Sequence, residues 1–287
     1  MTRRQVAPPK GAESGRTSLT LAEASDRLGV HYMTAYRYVR TGRLPASKHH
    51  GEWRVAARDV ERLAREATTS PAAPRSATVR ERRVPQLVDR LIAGDEGGAW
   101  EITQSMLTGG AEAADVYLKL FVPALRMIGE RWERGEVDVA DEHCATVIVQ
   151  RLVGRMGPLF RRRGRSRGIV VLGAPEGELH ALPTALASDL LRSHGFVVID
   201  LGANVPTESF VDCVQRLPRV AAVGIAVTAS GRGDAAGRLV RALRAGDVRV
   251  PIILGGAGID AADSARRGAD HWAGDAATLV ELVRGAT

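Results

Sequence analysis

Between Gly168 and the C-terminus, short unbroken apolar runs alternate with stretches of helical period. The runs are Ile169–Leu172, Phe196–Ile199, Val220–Val227, Pro251–Leu254 and a short Asp270–Trp272. Helices are predicted over Leu182–His194, Thr207–Gln215, Ala235–Arg244 and Ala261–Arg267, with a last one from Ala276. Strands that are apolar without polar alternation must be covered on both faces. The pattern therefore predicts a parallel sheet flanked by helices over 166–287. From Val84 to Phe160 the period is helical throughout. Leu87, Leu91 and Ile92 mark one helix, and Trp100, Ile102, Met106 and Leu107 a second. Val116 to Ile128, running on towards Trp132, mark a third, and Val139 to Met156 a fourth. Gly97-Gly98 and Gly109-Gly110 are the expected breaks, so 81–161 reads as a four-helix bundle.

The N-terminal pattern is different. Leu21, Ala24 and Leu28 share a helical face, Gly29 makes a tight turn, and a second helix is expected from His31 to Val39. Lys48 to Val55 reads as two short strands turning at Gly51, and Asp59–Ala67 as a closing helix. Helix, turn, helix and wing over 18–68 predict a winged helix-turn-helix. Residues 69–80, rich in Pro, Ala, Ser and Thr, read as a linker, and 1–17 as a disordered basic arm. The fold class is thus multidomain, α and α/β.

Charge sharpens this division. Residues 1–70 carry 13 Lys/Arg against 7 Asp/Glu, a balance of +6, whereas the other residues carry 27 against 26. A basic module ahead of a neutral body suits a polyanion such as double-stranded DNA. Thr34, Arg37 and Tyr38 are expected to face the groove, with Ala35 and Val39 inward. Arg43, Lys48, His49 and Arg54 are expected against phosphates. A protein-binding helical hairpin is the alternative. No apolar run approaches the ~20 residues of a membrane span. Cys144 and Cys213 form no CxxC pair. A cytoplasmic protein with no membrane partner is expected.

Candidate chemistry lies in two places. Trp132 is followed by a polar corner ending in Glu142-His143, at the start of the fourth helix. Glu178-Leu179-His180 follows the first apolar strand, where parallel sheets place ligand residues. An aromatic, a carboxylate–imidazole pair and a separate imidazole on a post-strand loop suit a flat metal macrocycle held between two domains. Taken singly, Trp132 is an ordinary core residue and Glu142 an ordinary helix N-terminal carboxylate. On periodicity alone the bundle is a plain dimerisation module. Asp200, Asp234 and Asp275 follow strands too, but without the acidic pair and lysine of a phosphoacceptor site. His194, ending a helix beside Gly195, suits the helix dipole.

These residues carry resemblances to known families. Leu19 to Val55 resembles the winged helix-turn-helix of the MerR and excisionase superfamily. The spacing Trp-x9-Glu-His resembles the helical cap of CarH- and LitR-type, adenosylcobalamin-dependent transcriptional regulators. That resemblance implies that Trp132, Val139, Glu142 and His143 lie over the upper face of a corrin. Residues 168–285 resemble the Rossmann-like cobalamin-binding domain, whose Asp-x-His-x-x-Gly appears here as Glu178-Leu-His180-Ala-Leu-Pro183. By that resemblance His180 is the lower cobalt ligand, Glu178 supports its other ring nitrogen, and Gly255-Gly256 receive the nucleotide tail.

Three departures stand out. Pro183 replaces the family glycine. Ala226-Val227-Thr228 replaces Ser-x-Leu/Thr, which leaves Thr228 as the polar contact to the tail. Glu133 stands where some light-sensing members carry a histidine. The resemblance implies a non-enzymatic, light- or cofactor-responsive repressor that binds DNA as a dimer or tetramer, with adenosylcobalamin or another cobalamin form as cofactor. A corrinoid methyl carrier, or a regulator with a degenerate cofactor site, is the alternative.

Overall fold

The computed structural model describes residues 18–286 except positions 31, 41, 50, 70–74 and 163, and not the side chains of 33, 34, 37, 40, 65–69 and 75–82. The expected arm, 1–17, lies outside the described residues, as do the side chains of Thr34 and Arg37.

The N-terminal module runs β1 (Ser18–Thr20), α1 (Leu21–Leu28), α2 (Tyr32–Arg40), β2 (Ala46–His49), β3 (Glu52–Ala56) and α3 (Ala57–Thr69). Thr20 and Glu23 make a reciprocal cap on α1: the Thr20 Oγ1 accepts from Glu23 N at 3.2 Å, and the Glu23 carboxylate from Thr20 N at 2.8 Å. Each satisfies an amide that the helix itself leaves unpaired. Gly29 ends α1 at φ 64°, where its N–H donates to Asp26 O. Strand β1, which the sequence pattern did not reveal, pairs antiparallel with β3, giving the order β1-β3-β2. Leu21, Ala24, Ala35, Leu44, Val55, Val60 and Leu63 form the module's core.

A second unit comprises Arg82–Leu107 and Ala111–Thr287. Its helices are α4 (Arg75–Ile92), α5 (Glu96–Thr108), α6 (Ala113–Val116), α7 (Val122–Glu133) and α8 (Val139–Met156). Two expectations need correction here. The stretch 69–80 is helical from Arg75, because Arg, Ala and Glu are good helix formers once the prolines at 71 and 74 are passed. Gly97-Gly98 do not break a helix but lie in the first turn of α5. The break falls at Gly94 (φ 71°), and Asp95 caps α5 by accepting from Gly98 N at 2.8 Å.

Between α6 and α7, Tyr117–Phe121 forms a turn of π-helix, invisible to a 3.6-residue period. Tyr117 is fully buried there, and its hydroxyl donates to Asp189 Oδ2 at 2.8 Å. Burial and the Asp189 charge push the Tyr117 hydroxyl well above the usual tyrosine range, so it stays a donor. Asp189 in turn accepts from Arg192 at 2.9 Å. Tyr117→Phe removes this hydrogen bond from a dry site and is expected to cost about 1–3 kcal/mol in urea unfolding.

The α/β part alternates β4 (Ile169–Gly173), α9 (Leu182–Ser193), β5 (Val197–Asp200), α10 (Thr207–Arg216), β6 (Val220–Ala226), α11 (Gly233–Ala245), β7 (Ile252–Gly255), α12 (Ala261–Arg266), β8 (His271–Ala273) and α13 (Ala276–Gly285). All pairs are parallel, in the order β5-β4-β6-β7-β8. One face is covered by α10 and α11, through Phe210, Val214, Leu239 and Leu243. The other is covered by α9 and α13, and its core runs on without a break into the bundle through Leu186, Leu190, Leu152 and Phe160. Helix α9 is therefore buried on two sides. The chain leaves β4 for β5 on one side and returns to β6 on the other, which opens a crevice at the carboxyl ends of β4 and β6.

The aspartates after the strands have structural roles. Asp200 accepts from Gly202 N, Asp275 caps α13, and Asp234 pairs with Arg267. His194 ends α9 with Nδ1 against Leu190 O at 2.9 Å, as its place beside Gly195 predicts.

Candidate functional site

The crevice between β4 and β6 is organised by one carboxylate. Glu178, fully buried, lies on the loop after β4. Its Oε1 accepts from the His180 ring Nδ1 at 2.5 Å and from His180 N at 3.1 Å. Its Oε2 accepts from Thr228 N at 2.8 Å and Ala229 N at 2.7 Å, both on the loop after β6. Burial by itself would raise its pKa. The bonds from His180, Ala229 and Thr228 outweigh that and hold the carboxyl down to about 2. A carboxylate in this state only accepts, so His180 Nδ1 carries the hydrogen and the lone pair of Nε2 is the one available to a ligand. The bond to Glu178 raises the His180 pKa, burial opposes it, and the charges of Glu178 and Glu142 add to it.

The loop itself is well anchored. Asn204, in the left-handed region at φ 54°, donates its N–H to Glu178 O at 2.7 Å, and its Oδ1 accepts from Gly177 N at 2.7 Å. A Cβ at Gly177 would lie 2.9 Å from Arg232 Nη1, so a cation borders the loop. Pro183 sits in the first turn of α9, where a missing N–H costs nothing.

Of the expected cap residues, Glu142 comes close enough to His180 to bear on its charge. Glu142 accepts from Thr146 Oγ1 at 3.0 Å, and the His143 Nδ1 lies 3.0 Å from its Oε2 and 2.8 Å from Val139 O. Trp132 and Val139 are about half exposed, as is the His180 side chain, while Leu179 is 73% exposed. Large apolar side chains left this exposed are unlike a closed core.

Gly255 ends β7 and Gly256 follows it. A Cβ on Gly256 (φ 114°) would fall 2.3 Å from Val227 O, and one on Gly255 2.7 Å from Ala273 O. These glycines are thus already demanded by backbone packing between neighbouring loops, before any ligand is considered. Trp272 donates its indole N–H to Ile259 O at 3.0 Å. The Thr228 Oγ1 is buried and has no hydrogen-bond partner among the described residues.

These features fit a cobalamin. His180 offers one oriented nitrogen, and Thr228 an orphaned hydroxyl beside it in the same crevice. Among the described residues no cluster of three His, Cys, Asp or Glu could hold a bare ion. A lone imidazole suits a metal that brings its other ligands with it. The sequence missed Ala229, whose contribution is a backbone N–H, and Asn204, whose only signal was a turn-forming residue type.

In the N-terminal module, Arg43, Lys48 and His49 are exposed. Arg43 lies over the Tyr38 ring at 4.9 Å and Lys48 over Trp53 at 5.7 Å. Tyr38 is half-buried against the module's core, and Arg54 pairs with Glu52 at 3.6 Å.

Comparison with known proteins agrees with this layout. A B12 binding domain family matches residues 85–156, a second B12 binding domain family matches 168–283, and a helix-turn-helix domain family matches 18–68. Trimethylamine corrinoid protein 1 of Methanosarcina acetivorans is 25% identical over 211 residues, 71% of this chain and 97% of the relative. A corrinoid protein of Desulfitobacterium hafniense is 24% identical over 206 residues, 69% of this chain and 94% of the relative. The structure of the Methanosarcina barkeri monomethylamine corrinoid protein shares the fold, with TM-score 0.65 and 19% identity over 72% of this chain and 99% of that one. Together these support a cobalamin-binding protein that carries a helix-turn-helix, with DNA as the partner that module suggests. Among the described residues no helix is long and apolar enough to cross a membrane.

Proposed function

We propose that this chain is a cytoplasmic, non-enzymatic transcriptional regulator of the CarH and LitR type, whose grip on DNA depends on adenosylcobalamin. The observation that carries the reading is the Glu178–His180 pair, locked at the switch point of the sheet in a chain that also bears a helix-turn-helix. His180 would hold the cofactor from below. Trp132, Val139, Glu142 and His143 would close on the upper face, and Thr228, Gly255 and Gly256 would border its tail. When bound, the cofactor would supply a cobalt–carbon bond that can be intact or broken.

The chain's own part is to convert that difference into packing. The bundle and the sheet share one core, so a change above His180 is felt along α8 and α9. Thr34, Arg37, Tyr38, Arg43, Lys48, His49 and Arg54 would meet DNA. One small module touches few phosphates, so a homo-oligomer on repeated half-sites would gain by effective concentration. Glu133, beside Trp132, offers no imidazole to cobalt, so any light response must run without a histidine there.

The test combines absorbance, mass and DNA affinity, with and without adenosylcobalamin, in the dark and after green light. A cobalamin-dependent change in both mass and DNA affinity is expected. His180→Ala should lose more cobalamin affinity than the roughly 10–100-fold typical of losing a supporting partner. Cobalamin binding without DNA binding would favour a corrinoid carrier instead, the reading that the relatives' names support.

A further inference from the structure

The densest run of basic residues in the body of the chain lies in one short segment. Residues 71–287 hold 27 Lys/Arg and 26 Asp/Glu. Five of those arginines lie within the seven residues 161–167, which leaves 22 cations against 26 anions elsewhere. This segment joins the bundle to β4 and, with the end of α9 and the start of β5, borders an open cavity of about 780 Å³. Arg161, Arg162, Arg165, Arg167, Arg192 and His194 line it, and no carboxylate does.

The arrangement is partly built. Arg192 is held by Asp189 Oδ1 at 2.9 Å and donates to Val198 O at 3.3 Å. Arg167 stacks over Phe196 at 5.5 Å, and its backbone N–H donates to Gly195 O at 3.0 Å. Arg161, Arg162 and Arg165 are exposed, and among the described residues no carboxylate pairs with them. The cavity lies at the amino ends of β4 and β5, whereas His180 and Thr228 follow the carboxyl ends of β4 and β6. It therefore belongs to neither the cofactor site nor the helix-turn-helix.

Arg161, Arg162 and Arg165, with no carboxylate partner among the described residues, repel one another. A fold that keeps them together, against an otherwise acidic body, is completed by an anion. Guanidinium groups favour phosphate oxygens, which they can meet bidentately. Three exposed arginines within five residues suit a line of phosphates better than a single small anion. We propose that this arginine cavity is a second DNA-binding surface, which holds the phosphodiester backbone without reading sequence.

The proposal rests on DNA being this chain's partner, and the test separates the two ideas. Full-length protein is titrated with labelled duplex DNA of several sequences across a salt series. Arg161→Ala/Arg162→Ala/Arg165→Ala is expected to weaken binding to every sequence and to reduce the salt slope by about 3, roughly one for each phosphate no longer neutralised. Arg161→Lys/Arg162→Lys/Arg165→Lys should keep most of the slope. Unchanged melting and cobalamin absorbance would exclude misfolding. A Lys48→Ala variant reports on the wing independently. An unchanged slope in the alanine variant, with a reduced one in Lys48→Ala, overturns the cavity but not the regulator. Protection of the protein by inorganic pyrophosphate, with DNA affinity unaltered, makes this a small-anion site and also overturns the proposal. Absence of duplex binding by the wild type overturns both.

Discussion

Glu178→Ala is expected to cost about 3 kcal/mol of stability at neutral pH, even in protein free of cobalamin. Removing the carboxylate leaves the Thr228 and Ala229 amides without their acceptor and the His180 ring without its anchor. Each unpaired buried amide costs roughly 1–3 kcal/mol. The lowered carboxyl leads to a figure of similar size for the same bonds. Folding lowers this carboxyl from 4.5 to about 2, about 2.5 pH units at ~1.4 kcal/mol each, or roughly 3 kcal/mol.

The sign follows from the direction of that shift. The stabilisation is full above pH 4.5 and is lost as pH falls from 4.5 towards 2. Wild type and variant should therefore converge in acid, as urea unfolding across that range would show. The raised pKa of His180 reflects the same bond from its other end. Parallel curves for the two proteins down to pH 2 would mean that Glu178 is not the keystone of the crevice. Cobalamin affinity should fall too, by roughly 10–100-fold, as expected when a ligand histidine loses its support.

Gly256→Ala is the second large effect. At φ 114° an L side chain is already strained, and the new methyl would stand 2.3 Å from Val227 O and 2.9 Å from Val227 C. Both are backbone atoms, tied by Val227 N to Gly255 O at 2.7 Å and by Gly258 N to Val227 O at 2.9 Å. Neither can swing aside as a side chain would. A loss of about 4 kcal/mol is expected, from strain of about 1–3 kcal/mol plus the displaced loop. Thr228 and Ala229 follow Val227 directly, so the displacement also reaches the Glu178 socket. Gly110→Ala is the control: φ is 93°, but nothing lies within 4 Å, and about 1 kcal/mol should be lost. Equal losses in the two variants by urea unfolding would show that conformation alone, and not the clash with Val227, sets the cost.

Much of the architecture was legible in the residues themselves. The α/β strands are unbroken apolar runs because both faces of the sheet are covered, and that requirement is local. Gly29 and Gly51 fall at turns that need left-handed backbone. His180 was identified from its place after a strand, together with a resemblance carried by Glu178 and its neighbours. The start of α4 and the glycines at 97–98 were misread because prolines and glycines punctuate the chain without saying on which side the helix begins. Strand β1 is three residues long, too short for an alternation to show.

What the sequence determined alone was the order of modules, the period of most elements and the placing of an imidazole, His180, on the loop after the first strand of the sheet. Only the tertiary structure decided how that imidazole is held. The amides of Thr228 and Ala229 reach Glu178 across 50 and 51 residues, and a backbone N–H leaves no mark in a side-chain pattern. Tyr117 meets Asp189 across 72 residues, through a π turn with no signature in a 3.6-residue period. Local pattern follows from burial along one element. Sites such as these follow from which loops the sheet order brings side by side, and that order is set by packing over the whole unit.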